Sequence, residues 1–319
     1  MALRRLGRTD LEISPVGLGC WQFSEGKGLV GGYWPALPAD VTREVVAKSL
    51  ANGVNWFDTA EAYGNGRSES SLAAALRANG KKNGDVLVAT KWWPAFRTAA
   101  SIRATIGTRL ECLEGFGIDL HQVHQPMGWS SVEAEMDAMA SLVAEKKIRS
   151  VGVSNFDAAR MRRAHAALAR HGLPLASNQM KYSLLDRRIE SRGVMAAAKE
   201  LGVTIIAYSP LEQGLVTGKF HDDPSRLKTL SAGRRFALTR RGLDKSRPLV
   251  DVLRAIATAR DVGPAQVALA WMIQFHGDTV VVIPGASSPR QAELNALAMG
   301  ITLTAEELRR IDEASRPFV

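Results

Sequence analysis

The sequence predicts a closed (β/α)8 barrel. Three observations carry that prediction: eight short apolar runs bounded by turn residues, amphipathic stretches between them, and a length of 319 residues that suits one barrel with added loops. Residues 1–319 are expected to form a single domain, because α/β barrels of about 250 residues or more are single units.

A short antiparallel pair comes first, around Leu3–Arg5 and Glu12–Ser14, with the turn-forming Gly7-Arg8-Thr9-Asp10 between its strands. The eight runs follow as VGLGCW (16–21), VNWFDTA (54–60), VLVATKWW (86–93), DLHQVHQ (119–125), SVGVSN (150–155), ASNQMKYS (176–183), VTIIAYSP (203–210) and TVVVIPG (279–285). They are β-branched in places, as buried parallel strands are. Helical periodicity lies between them at 42–53, 101–117, 132–148, 158–172 and 193–202. Several of these stretches end in glycine, a C-terminal stop, and Ser154-Asn155-Phe156-Asp157 offers N-caps for 158–172. The rival is an open doubly wound sheet. Its glycine-rich dinucleotide turn is missing: Gly17-Leu18-Gly19-Cys20-Trp21-Gln22 has no third glycine, and Gly31-Gly32 is not framed by a strand and a helix.

One connection is long. From Leu211 to Arg247 the pattern breaks, and nine basic residues face four acidic ones: Lys219, Arg226, Lys228, Arg234, Arg235, Arg240, Arg241, Lys245 and Arg247 against Glu212, Asp222, Asp223 and Asp244. More than half of the chain's formal charge of +9 therefore sits in one loop after the seventh strand, and loops this long are usually functional.

Hydrophobic residues make up 46% and charged residues 23%, which excludes a disordered or fibrous chain. Only Cys20 and Cys112 occur, so a disulfide scaffold and a four-cysteine zinc site are excluded. The N-terminal MALRRLGRTDLEIS lacks an apolar secretory core, and no run of about 18 apolar residues exists. A cytoplasmic protein without a membrane partner is expected.

In a (β/α)8 barrel, functional side chains sit at the C-terminal ends of strands and in the loops beyond. Asp58 and then Tyr63 follow the second strand, Lys91 ends the third, His124 the fourth and Ser154-Asn155 the fifth, while Gln179 lies within the sixth. An acid, a phenol, an ammonium and an imidazole converge on one rim. His121 and His124 are three apart on a strand and point to opposite faces, so they do not share a metal ion. A Ser-His-Asp hydrolase lacks its G-x-S-x-G turn. A lysine beside a tyrosine lowers the phenol's pKa from about 10. An aspartate fixes the lysine, and a neutral histidine orients a carbonyl oxygen. The set amounts to a general acid aimed at a carbonyl, useful where hydride arrives from a reduced nicotinamide.

These residues lie in segments that resemble the aldo-keto reductases, nicotinamide-dependent barrel enzymes. LGRTDLEISPVGLGCW (6–21), NWFDTAEAYGNGRSE (55–69), VATKWW, GVSNF (152–156), NQMKYS (178–183), AYSPLEQGLVTGKF (207–220) and IPGASSP (283–289) follow in the family's order, nearly end to end. The resemblance implies that Tyr63 is the general acid, tuned by Lys91 and Asp58, with His124 placing the substrate carbonyl. It implies that Ser154, Asn155 and Gln179 hold the nicotinamide carboxamide and that Tyr208 stacks on the ring. Ser209, Leu211, Gly214 and Leu215 would pass the pyrophosphate, and the basic stretch would cover the cofactor, leaving no case for nucleic acid. Gly285, Ser287, Ser288, Gln291 and Asn295 would receive the adenosine end.

The chain departs from the family's pattern in three places. Gln125-Pro126-Met127 stands where an Asp commonly follows the Pro. Ser287 and Ser288 stand where a basic residue often grips the 2′-phosphate of NADPH, and Leu294 stands where a Glu often contacts adenine. NADPH is the expected cofactor, with NADH possible, since hydroxyls donate to a phosphate but bring no charge. Trp21, Trp92 and Trp93, with Tyr33 or Trp34, would line a pocket for a flat or apolar small-molecule carbonyl. The expected activity is reduction of an aldehyde or ketone to the alcohol. The alternative is a cofactor-sensing, partner-binding subunit with slow turnover. Substrate and oligomeric state have no signal in the sequence.

Overall fold

The computed structural model describes residues 2–28, 30–230, 235, 238 and 242–319, and all eight apolar runs form strands in it. The opening pair is the antiparallel hairpin β1 (Arg4–Arg5) and β2 (Glu12–Ile13). The barrel strands are β3 (Leu18–Gly19), β4 (Trp56–Asp58), β5 (Leu87–Trp92), β6 (Ile118–Val123), β7 (Ile148–Ser154), β8 (Leu175–Lys181), β9 (Thr204–Tyr208) and β10 (Val280–Val282). They pair in chain order and in parallel. Parallel bridges Val16–Val282 and Gly19–Gly285 join the last strand to the first, so the ring closes.

Strand alternation separates two cores. Inward side chains of Trp56, Ala89, Leu120, Ala176, Ile206 and Val281 pack with Leu6, Leu11 and Ile13 from the hairpin. The hairpin therefore plugs the end of the barrel where the strands begin, and the opposite rim is left for a site. Outward side chains pack under the helices in the larger cluster. Each fully buried Leu, Ile or Val contributes roughly 1.5–3 kcal/mol. A Cβ on Gly152 would lie 2.4 Å from Ser177 Oγ and 3.0 Å from Gln122 Cγ, so the bare backbone there makes room for the inward Gln122.

The expected helices appear as α1 (Ala39–Ala51), α3 (Ala100–Cys112), α4 (Val132–Ala144), α5 (Ala158–Ala169) and α7 (Val194–Leu201). Asp157 caps α5 by accepting from Arg160 N at 2.8 Å, as its place before the helix predicted. Further helices are α2 (Arg67–Ala78), α6 (Arg188–Ser191), α8 (Lys219–Asp222), α9 (Leu243–Ala259), α10 (Pro264–Gln274), α11 (Pro289–Leu297) and α12 (Ala305–Ser315).

The stretch 211–247 departs from the expected long loop. It holds a 3-10 turn at Glu212–Thr217, then α8, a second 3-10 turn at Pro224–Thr229, and the start of α9. Single turns are too short to show periodicity, and Pro248 inside α9 disguises that helix. Arg234, Arg240 and Arg241 lie outside the described residues. No helix among the described residues is long and apolar enough to cross a membrane.

Candidate active site

Alternation along β4, β5 and β6 turns Asp58, Lys91 and Gln122 into the barrel at its open end. Asp58 Oδ1 lies 2.5 Å from Lys91 Nζ, and both side chains are almost wholly inaccessible. Asp58 Oδ2 accepts from Gln122 Nε2 at 3.1 Å and from Gln179 Nε2 at 2.9 Å. Lys91 Nζ also donates to Thr59 O at 2.8 Å and lies 5.0 Å from the centroid of the Tyr63 ring. Tyr63 is delivered by the turn between β4 and α2, with Tyr63 N bonded to Ala60 O and Ser68 N to Tyr63 O. His124, just beyond β6, stands perpendicular to Tyr63 at 5.6 Å and to Trp93 at 5.1 Å.

Burial governs the protonation of this group. It lowers Lys91, but Asp58 and the Tyr63 phenol outweigh it and hold the ammonium charged. It raises Tyr63 above the ordinary tyrosine value, while Lys91 pulls the other way. The expected lowering by Lys91 is therefore present but is outweighed by desolvation. Burial, reinforced by Lys91, carries His124 well below the ordinary histidine range, so the imidazole is neutral. Burial likewise raises the Cys20 thiol, which lies at the cavity wall in its protonated form.

A cavity of about 510 Å³ opens above this group. Asp58, Tyr63, His124, Trp21 and Trp93 line it. So do Ser154, Asn155, Gln179, Tyr208, Ser209, Leu211 and Gly214. Gly285, Ser287, Gln291 and Asn295 are also on its wall, with Leu294. Tyr208 OH donates to Asn155 Oδ1 at 2.9 Å, and Asn155 Nδ2 donates to Ser154 Oγ at 3.0 Å. Ser287 N and Oγ both donate to Gln291 Oε1, at 2.9 and 3.0 Å.

Four expected residues, Trp92, Leu215, Ser288 and Lys91, are not part of the cavity wall. Trp92 follows the inward Lys91 and so points outward, buried under the helices with Nε1 donating to Ser101 Oγ at 3.0 Å. Leu215 is wholly buried in the outer core. Ser288 caps α11 through its oxygen, which accepts from Gln291 N. Lys91 stands behind Asp58 and Tyr63 rather than on the surface of the cavity. Of the described members of the basic stretch, Lys219 reaches the cavity, Arg226 pairs with Asp223, and Lys245 lies over the Phe318 ring.

Gln22, Val30, Gln213 and Thr217 also line the cavity, without having been predicted there, and of the expected pair Tyr33 or Trp34 it is Trp34 that does so. Trp34 and Tyr33 join Trp21 in one aromatic group: Tyr33 stacks on Trp21 at 5.1 Å, Trp34 meets it edge-on at 6.1 Å, and Trp21 stacks on Tyr63 at 5.8 Å. Among the described residues, no cluster of His, Cys, Asp and Glu is arranged to hold a metal ion.

Fold and site define a barrel enzyme that presents a buried, charge-supported phenol to a deep cavity. The sequence profile of the Aldo/keto reductase family matches residues 15–316, and the chain belongs to that family of carbonyl-reducing oxidoreductases, whose members generally use nicotinamide cofactors. It is 38% identical over 309 residues to an uncharacterized oxidoreductase of Mycobacterium tuberculosis, covering 96% of this chain and 91% of that protein. It is 33% identical over 319 residues to the chloroplastic pyridoxal reductase of Arabidopsis thaliana, covering 96% and 84%. A thermostable aldo-keto reductase solved with the inhibitor epalrestat superposes with a TM-score of 0.77 at 27% identity, over 98% of this chain and all of that one.

Proposed function

We propose that the protein reduces a neutral aromatic or apolar aldehyde or ketone to its alcohol, with Tyr63 as general acid and NADPH, or NADH in its place, as reductant. The observation that carries this reading is the Asp58–Lys91 pair at 2.5 Å beneath the Tyr63 phenol, on the wall of the cavity. A reduced nicotinamide supplies hydride to the carbonyl carbon when bound.

The residues present suit such a cofactor. A Cβ on Gly214 would stand 3.0 Å from Lys219 Nζ, so the glycine leaves a gap beside an ammonium on the cavity wall, suited to an anionic group. The amides of Asn155 and Gln179 offer hydrogen bonds to a carboxamide, and Tyr208 offers a flat face. The proton moves from Tyr63 to the carbonyl oxygen. Lys91 stabilises the phenolate left behind, Asp58 keeps Lys91 in place, and neutral His124 holds the oxygen by a hydrogen bond. Trp21, Trp34 and Trp93 surround the carbonyl compound with aromatic surface and exclude water.

The test follows reduced-nicotinamide absorbance with aromatic and aliphatic aldehydes, pyridoxal among them, in the wild type and Tyr63→Phe. Turnover that disappears in the variant while cofactor binding persists is the expected result. Near-normal turnover in Tyr63→Phe would sink the mechanism. Tight cofactor retention without turnover on any carbonyl would favour the sensing subunit.

A further inference from the structure

Between the C-terminal ends of β8 and β9 lies a buried charged cluster that the proposed chemistry does not use. Glu212 is 1% exposed. Its Oε1 accepts from Ser183 Oγ at 2.9 Å and lies 3.4 Å from Lys181 Nζ. Ser183 Oγ in turn accepts from Leu185 N at 3.2 Å, and Lys181 reaches Asp186 at 3.5 Å. The neighbours of Glu212 in sequence, Leu211 and Gln213, both line the cavity.

The backbone here is unusual. Ser209, Glu212 and Gln213 have φ of +53°, +45° and +56°, and Gly214 has +91°. Three residues with side chains in the left-handed region within five positions are strained, and such a run persists only where the surroundings over-determine it. The ties of Glu212 to β8 and the turn after it supply that determination.

We propose that Glu212 is a positioning residue: its buried carboxylate, held by Ser183 and Lys181, locks the 209–214 segment in the left-handed shape that lines the cavity and so sets how long the cofactor is retained. This rests on the cofactor reading above. The carboxylate turns away from the cavity while the segment's other side chains face it, so Glu212 acts through the backbone and touches no ligand.

The experiment measures NADPH affinity and release rate by tryptophan fluorescence, in rapid mixing with excess unlabelled competitor, together with the melting temperature. Glu212→Ala removes a charge-assisted hydrogen bond, so release should quicken about tenfold. Glu212→Gln keeps an acceptor for Ser183 and should stay within about threefold of wild type. Ser183→Ala removes the donor without altering the segment and should quicken release by about fivefold, which keeps the proposal open to refutation if Glu212→Ala does not fold. Unchanged release in Glu212→Ala and Ser183→Ala, with or without a lower melting temperature, overturns the proposal and leaves a merely structural anchor. A wild-type protein that binds neither NADPH nor NADH overturns the cofactor reading itself, and the proposal with it.

Discussion

Asp58 and Lys91 make an ion pair that water does not reach, and the second oxygen of the same carboxylate takes the amides of Gln122 and Gln179. Every lone-pair direction of a buried carboxylate needs a donor, and here β5, β6 and β8 each provide one. The ammonium is fixed by the carboxylate, by Thr59 O and by the Tyr63 phenol. On the proposed mechanism the pair therefore serves both stability and the acidity of Tyr63.

Asp58→Asn leaves Lys91 buried without its counterion. Breaking a buried pair from one side costs about 3–5 kcal/mol, so the melting temperature should fall by several degrees. Lys91→Met leaves Asp58 with the two amides but removes the charge that stabilises phenolate, and carbonyl reduction should fall by about 10²-fold or more. Thermal melts and initial rates on both variants check this. A Lys91→Met protein with unimpaired turnover would show that the ammonium does not support Tyr63.

The pH profile follows from the same burial. Tyr63 stays above the ordinary tyrosine value, so the acid remains protonated through about pH 9. His124 stays well below the ordinary histidine value, so it does not gain a proton as pH falls to about 6. Reduction kcat/KM should be level between those limits, and replacing Lys91 should move the alkaline limb upward, since the ammonium lowers the phenol's pKa. An acid limb near pH 6.5 that vanishes in His124→Gln would mean that the imidazole is charged in the free enzyme.

On the proposed cofactor reading, Ser287 bears on cofactor choice. Its amide and hydroxyl are both engaged by Gln291 Oε1, so a 2′-phosphate must displace that amide to use either donor. Ser287→Arg adds a charged fork to the cavity wall and should tighten NADPH over NADH by about tenfold. Dissociation constants for the two cofactors decide it. An unchanged ratio would mean that the 2′-position lies away from Ser287.

The strand order and the convergence of Asp58, Tyr63 and His124 were legible because period-2 apolar runs and strand-end polar residues are local patterns. The misplacement of Trp92 came from not applying that period through: with Lys91 inward, Trp92 must face the helices. Leu215 and Ser288 sit in short turns whose facing depends on single φ values, and no periodicity reports those. The inward parity that places Lys91 also places Gln122 beside Asp58, so its part in the site had a signal that went unread. The aromatic content of the loop put Tyr33 or Trp34 near Trp21, but how the two rings pack on Trp21 was not legible, because the path of that loop depends on tertiary packing.

Glu135 gives a test of the fold that is independent of the chemistry. It lies in the first turn of α4, 3% exposed, where a Cβ on Gly128 would come within 2.3 Å of its Oε1. Burial raises its pKa to about 7. A carboxyl raised on folding holds a proton in the native state that the unfolded chain has released, so stability is lost as pH rises from about 4.5 to about 7. Glu135→Gln removes the ionisation while keeping the shape. At pH 8 the variant should be more stable than wild type by about 1–2 kcal/mol once solvent screening is allowed, and at pH 4.5 the two should melt together. Melting curves at both pH values check the sign. A variant less stable than wild type at pH 8 would mean that the native carboxylate is ionised and favourably held by the α4 N-terminus.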